Sequence, residues 1–313
     1  MPLHLELCGP EPPSDDDEKQ PEKPEEPEEP DTPSSTSILT SLKNLFKKPK
    51  PLPGDNYART SPYSREGVFA ILNDFLQPES TMSLDKTVQS ILALLPEKAP
   101  GSTEIWSAGT VIVEVAGQIP YSHESQLKLA SLVEKLSWAD KFLQTRPSAD
   151  GMRYKCVALA MEMRDCHNGP NDEDVNEWPN LSAFYAHVDA RGVLSAHPTF
   201  AIWAMRDAFE NTDGVPELKY QEIIAAAQYI LWNGQGLFNQ IRYFGDVDEG
   251  DLRSWRPGPL YDGESGLSLH RWRFWKAGFV AARENGGLKE EARDISRRAV
   301  VLMEAFESTL LFE

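Results

Sequence analysis

Only three cysteines, Cys8, Cys156 and Cys166, occur in the 313 residues, an odd number with no framework spacing. That excludes a disulfide-stapled scaffold and fits a chain kept reduced, in the cytoplasm or the nucleus. The amino terminus, Met-Pro-Leu-His-Leu-Glu-Leu-Cys, has no basic stretch followed by an apolar one, so no secretory signal is expected. Long apolar runs are missing too. The most hydrophobic stretch, Ile105 to Ile119, is interrupted by Gly109, Glu114 and Gly117, and it falls short of the roughly 20 residues a bilayer span needs. Positive charge is scarce: 31 Lys and Arg stand against 49 Asp and Glu, for a net charge of −18. Residues 1–57 hold 13 acids and 6 bases, which leaves 36 and 25 for the rest. An acidic chain repels phosphate backbones, so a nucleic-acid partner is not expected.

From Pro10 to Pro33 there is no aromatic residue and almost nothing but Pro, Glu, Asp and Lys. Such a segment cannot offset an ordering cost of about 1–2 kcal/mol per residue, so residues 1–36 are expected to form a disordered acidic tail. Charge then reverses. In Ser37 to Lys50, Ile38, Leu42, Leu45 and Phe46 line one side of a short helical pattern, followed by Lys47, Lys48 and Lys50. Residues 37–60 therefore read as a basic amphipathic segment and linker. Docking on the main domain, contact with an anionic membrane surface and a short nuclear import signal all fit it.

Residues 61–313 read as one irregular all-α domain of about nine helices with short loops. Ser83, Ser102 and Ser122 stand where caps belong, before the stripes Val88-Ile91-Leu92-Leu95, Ile105-Val111-Ile112-Val115 and Leu129-Leu132-Val133-Leu136. The second of these contains Val111-Ile112-Val113, which a strand would also accommodate. Further helices are expected over Leu181–Asp189, Pro198–Glu210, Glu217–Ile241, Ser268–Glu284 and Lys289–Phe306. No period of 20–50 residues marks a solenoid.

The chemistry-bearing motifs fail by named residues. Cys156, Cys166 and His167 lie within twelve residues, yet no C-x-x-C pair accompanies them. The acidic loops beginning at Asp172 and Asp246 lack the closing glutamate of a calcium loop, having Ala183 and Pro257 at the twelfth position. Gly263-Glu264-Ser265-Gly266 is one residue short of a nucleophile elbow, and no Walker A loop or G-x-G-x-x-G follows a strand. No catalytic residue, metal or cofactor is expected.

One stretch stands out, Leu269-His270-Arg271-Trp272-Arg273-Phe274-Trp275-Lys276. It admits two readings. One is a core helix with snorkelling basic side chains. The other is an aromatic and basic pocket for an anionic or planar ligand, formed by Arg271, Trp272, Arg273 and Trp275 with Tyr261, Trp203, Arg206 and Trp232. On the pocket reading, replacing Arg271 and Arg273 by Ala leaves the fold intact and abolishes ligand binding.

The same residues carry a family resemblance. Gly258-Pro259-Leu260-Tyr261, Ser265-Gly266 and Leu269-x-x-Trp272-x-Phe274-Trp275-Lys276 follow one another near the C-terminus. Upstream stand Ile119-Pro120-Tyr121, Trp178-x-Asn180-Leu181-x-Ala183-Phe184, the run Phe200 to Glu210 and the run Ala225 to Ile230. This series, over roughly Ser61 to the C-terminus, resembles an uncharacterised family of filamentous ascomycete fungi known only as a domain of unknown function. The resemblance implies a fungal, intracellular, helical protein and brings no activity, cofactor or catalytic residue. The leading expectation is a non-catalytic helical module that binds a protein partner or serves as a scaffold. The alternatives are a small-molecule-binding or enzymatic domain built on the Trp and Arg helix, and a nuclear regulatory protein.

Overall fold

The computed structural model describes residues 1–7, 62–97, 102–145, 153–154, 162–170, 172–193, 198–212, 216–242 and 249–310. Met1–Leu7 and Ser61–Glu313 form one compact unit; Cys8–Thr60, which contains the amphipathic segment, lies outside the described residues.

Four helices start at serines whose hydroxyl accepts an otherwise unpaired backbone N–H of the first turn. Ser64 caps α1 (Arg65–Leu76), Ser83 caps α2 (Leu84–Leu94) and Ser102 caps α3 (Thr103–Gln118). The strand-like triplet is helical within α3, where Ile105, Val111, Ile112 and Val115 are all buried, so the cap and the 3.6-residue stripe prevail over β-branching. Next comes α4 (Ser125–Ser137), which starts later than Ser122 because a turn from Pro120 O to His123 N–H intervenes.

After a two-residue antiparallel pairing of β1 (Gln144–Thr145) with β2 (Arg153–Tyr154), the helices resume with α5 (Glu177–Ala190), α6 (Thr199–Phe209) and α7 (Lys219–Arg242). A 3-10 turn, Pro216–Leu218, leads into α7. The series closes with α8 (Glu249–Ser254), α9 (Leu269–Glu284, capped by Ser268) and α10 (Glu290–Glu307). Among the described residues the fold is thus all-helical apart from that single short pairing. The short α8 is not among the expected helices; six residues with no buried side chain leave no periodicity to detect.

Every residue from Trp178 to Asp189 is buried, which identifies α5 as the central helix. On one side it packs against α3 and α4, which with α1 and α2 form an N-terminal group; on the other it packs against α7. In turn α7 supports α6 and α10, and α10 carries α9. No described helix is long and apolar enough to cross a membrane.

Candidate functional site

Arg271, Trp272 and Trp275 of α9 sit in the core, whereas Arg273 is exposed. Arg271 and Trp272 have no exposure and Trp275 has 2%. Opposite Arg271 stands Glu210, just past the end of α6 and also fully buried. Arg271 Nε donates to Glu210 Oε1 at 2.7 Å, and Nη2 to Glu210 Oε2 at 2.9 Å and to the Arg256 carbonyl at 3.3 Å. Its Nη1 donates to the carbonyls of Trp255 (2.7 Å) and Gly266 (3.0 Å). A guanidinium has five N–H donors, and all five are engaged. Glu210 also accepts from Trp275 Nε1 at 2.6 Å and from the Gly258 amide at 2.9 Å.

The remaining residues of the expected pocket are scattered around this clasp. The Tyr261 ring lies 5.5 Å from the Arg271 guanidinium, and its hydroxyl meets His270 Nδ1 at 3.0 Å. Trp203 Nε1 and Arg206 Nη1 both donate to the Ser254 carbonyl, at 2.9 and 3.4 Å. Trp272 faces away, toward Phe238 and Phe306. Arg273 lies on the surface with Glu307, 3.1 Å away. Trp232 stands apart on α7, partly exposed and 4.4 Å from the His187 ring. Arg271 is therefore a tie between α9, the end of α6 and the segment 255–266. The expectation that its removal spares the fold is corrected: a buried carboxylate would lose its counter-charge.

Behind Trp203 the sequence reading missed an aromatic enclosure. The His167 ring stacks on Phe200 at 4.8 Å and meets Trp178 edge-on at 4.6 Å, with Trp203 and Tyr185 at 5.6 and 5.8 Å. Its Nε2 is fully buried although the residue keeps some exposure. Burial pushes its pKa down to about 3, helped by the nearby Arg206 charge. Cys166, half-buried beside it, is in no disulfide, whereas Cys156 lies outside the described residues. Among the described residues, no three His, Cys, Asp or Glu side chains are grouped to hold a metal ion.

The arrangement with the clearest recognition chemistry is at the amino terminus. Met1–Leu7 departs from the expected disordered tail and packs on the helical unit. Leu3, Leu5 and Leu7 are half-buried against the core cluster, whereas His4 and Glu6 are exposed, the alternation of an extended chain. Gln77, the residue after α1, accepts the Leu3 N–H at 2.9 Å and donates to the Leu3 carbonyl at 3.2 Å. Gln118, the last residue of α3, does the same for Glu6, at 2.7 and 2.8 Å.

In an extended chain, residues three apart present their N–H and C=O on opposite edges. The two carboxamides thus grip both edges of the segment. His123 Nδ1 accepts the Ser125 amide at 3.2 Å, which leaves Nε2–H to donate to the Met1 carbonyl, also at 3.2 Å. The readers are themselves held. Gln77 Nε2 also reaches Asn73 Oδ1, the Gln77 carbonyl accepts from Lys128 Nζ, and an Arg65–Glu114 ion pair of 2.6 Å ties α1 to α3.

A family profile described as "Protein of unknown function (DUF3632)" matches residues 110–279. No curated protein and no solved structure matches the chain.

Proposed function

Because the chain belongs to the DUF3632 family, whose function is unknown, we propose from its own residues that it is a non-catalytic interaction module that captures an extended peptide segment. The observation that carries this reading is the double carboxamide grip of Gln77 and Gln118 on Leu3 and Glu6, beside three leucines at alternate positions. Main-chain bonds supply affinity and alternate side chains supply selectivity, the division of labour seen when extended peptides add to protein surfaces. The small-molecule alternative loses its leading residue, since every donor of Arg271 is engaged inside the protein. The acidic, cysteine-poor sequence supports a cytoplasmic or nuclear setting, and the motif series from Ile119 to Lys276 supports a filamentous ascomycete source.

The test uses the full chain with its own segment disabled by Leu3→Asp, Leu5→Asp and Leu7→Asp. A fluorescein-labelled synthetic peptide with the sequence of Met1–Leu7 is titrated by fluorescence polarisation. Saturable binding that disappears when Gln77→Ala and Gln118→Ala are added supports the module. No saturation up to about 1 mM protein, a free energy near −4 kcal/mol, would sink it.

A further inference from the structure

We infer that Met1–Leu7 is an exchangeable plug, and that the partner of this groove is a segment of another protein with three leucine-sized residues at alternate positions in extended form. The inference rests on the peptide-capture reading and adds the partner's chemistry and its regulation.

Three features point to exchange. The contact surface is shallow: none of the three leucines is fully buried, and the residues between them face solvent. The polar readers, Gln77, Gln118 and His123, bond only to main-chain atoms of the segment, so any extended chain supplies the same partners. The two carboxamides carry no charge and set no charge requirement at the exposed positions, where this segment carries His4 and Glu6. What remains selective is the leucine spacing, because side chains at i, i+2 and i+4 of an extended chain meet one surface.

The occupant belongs to the same chain, which makes it a competitor with a fixed local concentration. A tether typically sets an effective concentration on the order of 1 mM. A plug whose free dissociation constant is on the order of 0.1 mM then weakens an incoming segment about tenfold. The resting chain is thus partly closed to its partner, and removing the plug opens it.

The experiment compares the full wild-type chain with the full chain carrying Leu3→Asp, Leu5→Asp and Leu7→Asp, probed with the same labelled heptapeptide. Peptides with His4 and Glu6 both changed to Ala, or with Leu5 changed to Ala, are run alongside. The expected result is binding about tenfold weaker to wild type than to the variant, no effect of the His4 and Glu6 changes, and about tenfold loss for Leu5→Ala. Equal binding to wild type and variant overturns the plug while leaving the capture reading standing. No binding to either overturns both. Loss of binding on changing His4 and Glu6 overturns the leucine-spaced partner. Sedimentation completes the set: a wild-type chain that dimerises with rising concentration, while the Leu→Asp variant stays monomeric, places the segment on a second copy and also overturns the plug.

Discussion

Glu210 and Arg271 are 61 residues apart in sequence and 2.7 Å apart in space, and neither side chain has any exposure. Breaking a buried pair leaves an uncompensated charge and costs about 3–5 kcal/mol. Arg271→Ala and Glu210→Ala are each expected to lose stability in that range in urea titrations. Arg273→Ala, at the surface with Glu307, should change it by less than about 1 kcal/mol. Equal effects at 271 and 273 would contradict the assignment of Arg271 to the core.

The clasp also fixes a glycine. A Cβ on Gly258 would lie 2.6 Å from the Glu210 carbonyl oxygen and 2.8 Å from its carbon, main-chain atoms that no rotamer change can move. Gly258→Ala is expected to cost about 1–3 kcal/mol. At Gly286 nothing lies within 4 Å of such a Cβ, and the backbone is not in the left-handed region. Gly286→Ala should be neutral or stabilise by up to about 1 kcal/mol. Thermal unfolding of the two variants checks the contrast.

Two buried histidines give stability a pH dependence of known sign. His167 is pushed down to about 3 and His187 to about 4, each mainly by burial, from an ordinary value of 6.5. Between these values and 6.5 the unfolded chain binds more protons, so stability falls as pH drops below 6.5 and is restored above it. Each histidine contributes a slope of up to about 1.4 kcal/mol per pH unit inside its window. Asp207 and Glu222, raised by burial, act in the opposite sense, so wild type is compared with a His167→Gln, His187→Gln variant. The loss of urea midpoint between pH 7 and pH 4.5 should be smaller in the variant than in wild type; an unchanged loss would remove the histidines as its source.

Each carboxamide contact should be visible separately. Gln118→Ala is expected to raise hydrogen exchange at the Glu6 amide strongly, and Gln77→Ala at the Leu3 amide, because each amide loses its only described acceptor. Helix amides in α1 and α3 should keep their protection. Slow exchange at Leu3 and Glu6 in the double variant would show that the leucines alone hold the segment.

Much of the helical scaffold was legible. Ser83, Ser102 and Ser268 stand where the sequence placed helix starts, and Val88, Ile91, Ile105, Val111, Ile112 and Val115 behind the first two are buried. Helical spacing puts Trp272, Trp275 and Phe279 on one face of α9, and all three are buried. It carried no information about what that face meets. Glu210 looks like the polar end of a helix, and only the tertiary fold brings it beneath Arg271. The segment Met1–Leu7 was hidden for another reason: composition averaged over a long acidic stretch submerged the alternation of Leu3, Leu5 and Leu7. The glutamines that read its backbone have no signature, since a carboxamide at a helix end is an ordinary surface residue.

Because Gln77 and Gln118 hold main-chain atoms, they impose no spelling on the residues they hold. Related chains could exchange Glu6 for any residue except proline, which lacks the N–H, and keep the grip. Positions 3, 5 and 7 should tolerate only apolar residues of similar size. An aligned set of relatives would then show a three-letter message with free gaps, conserved in rhythm and variable in content.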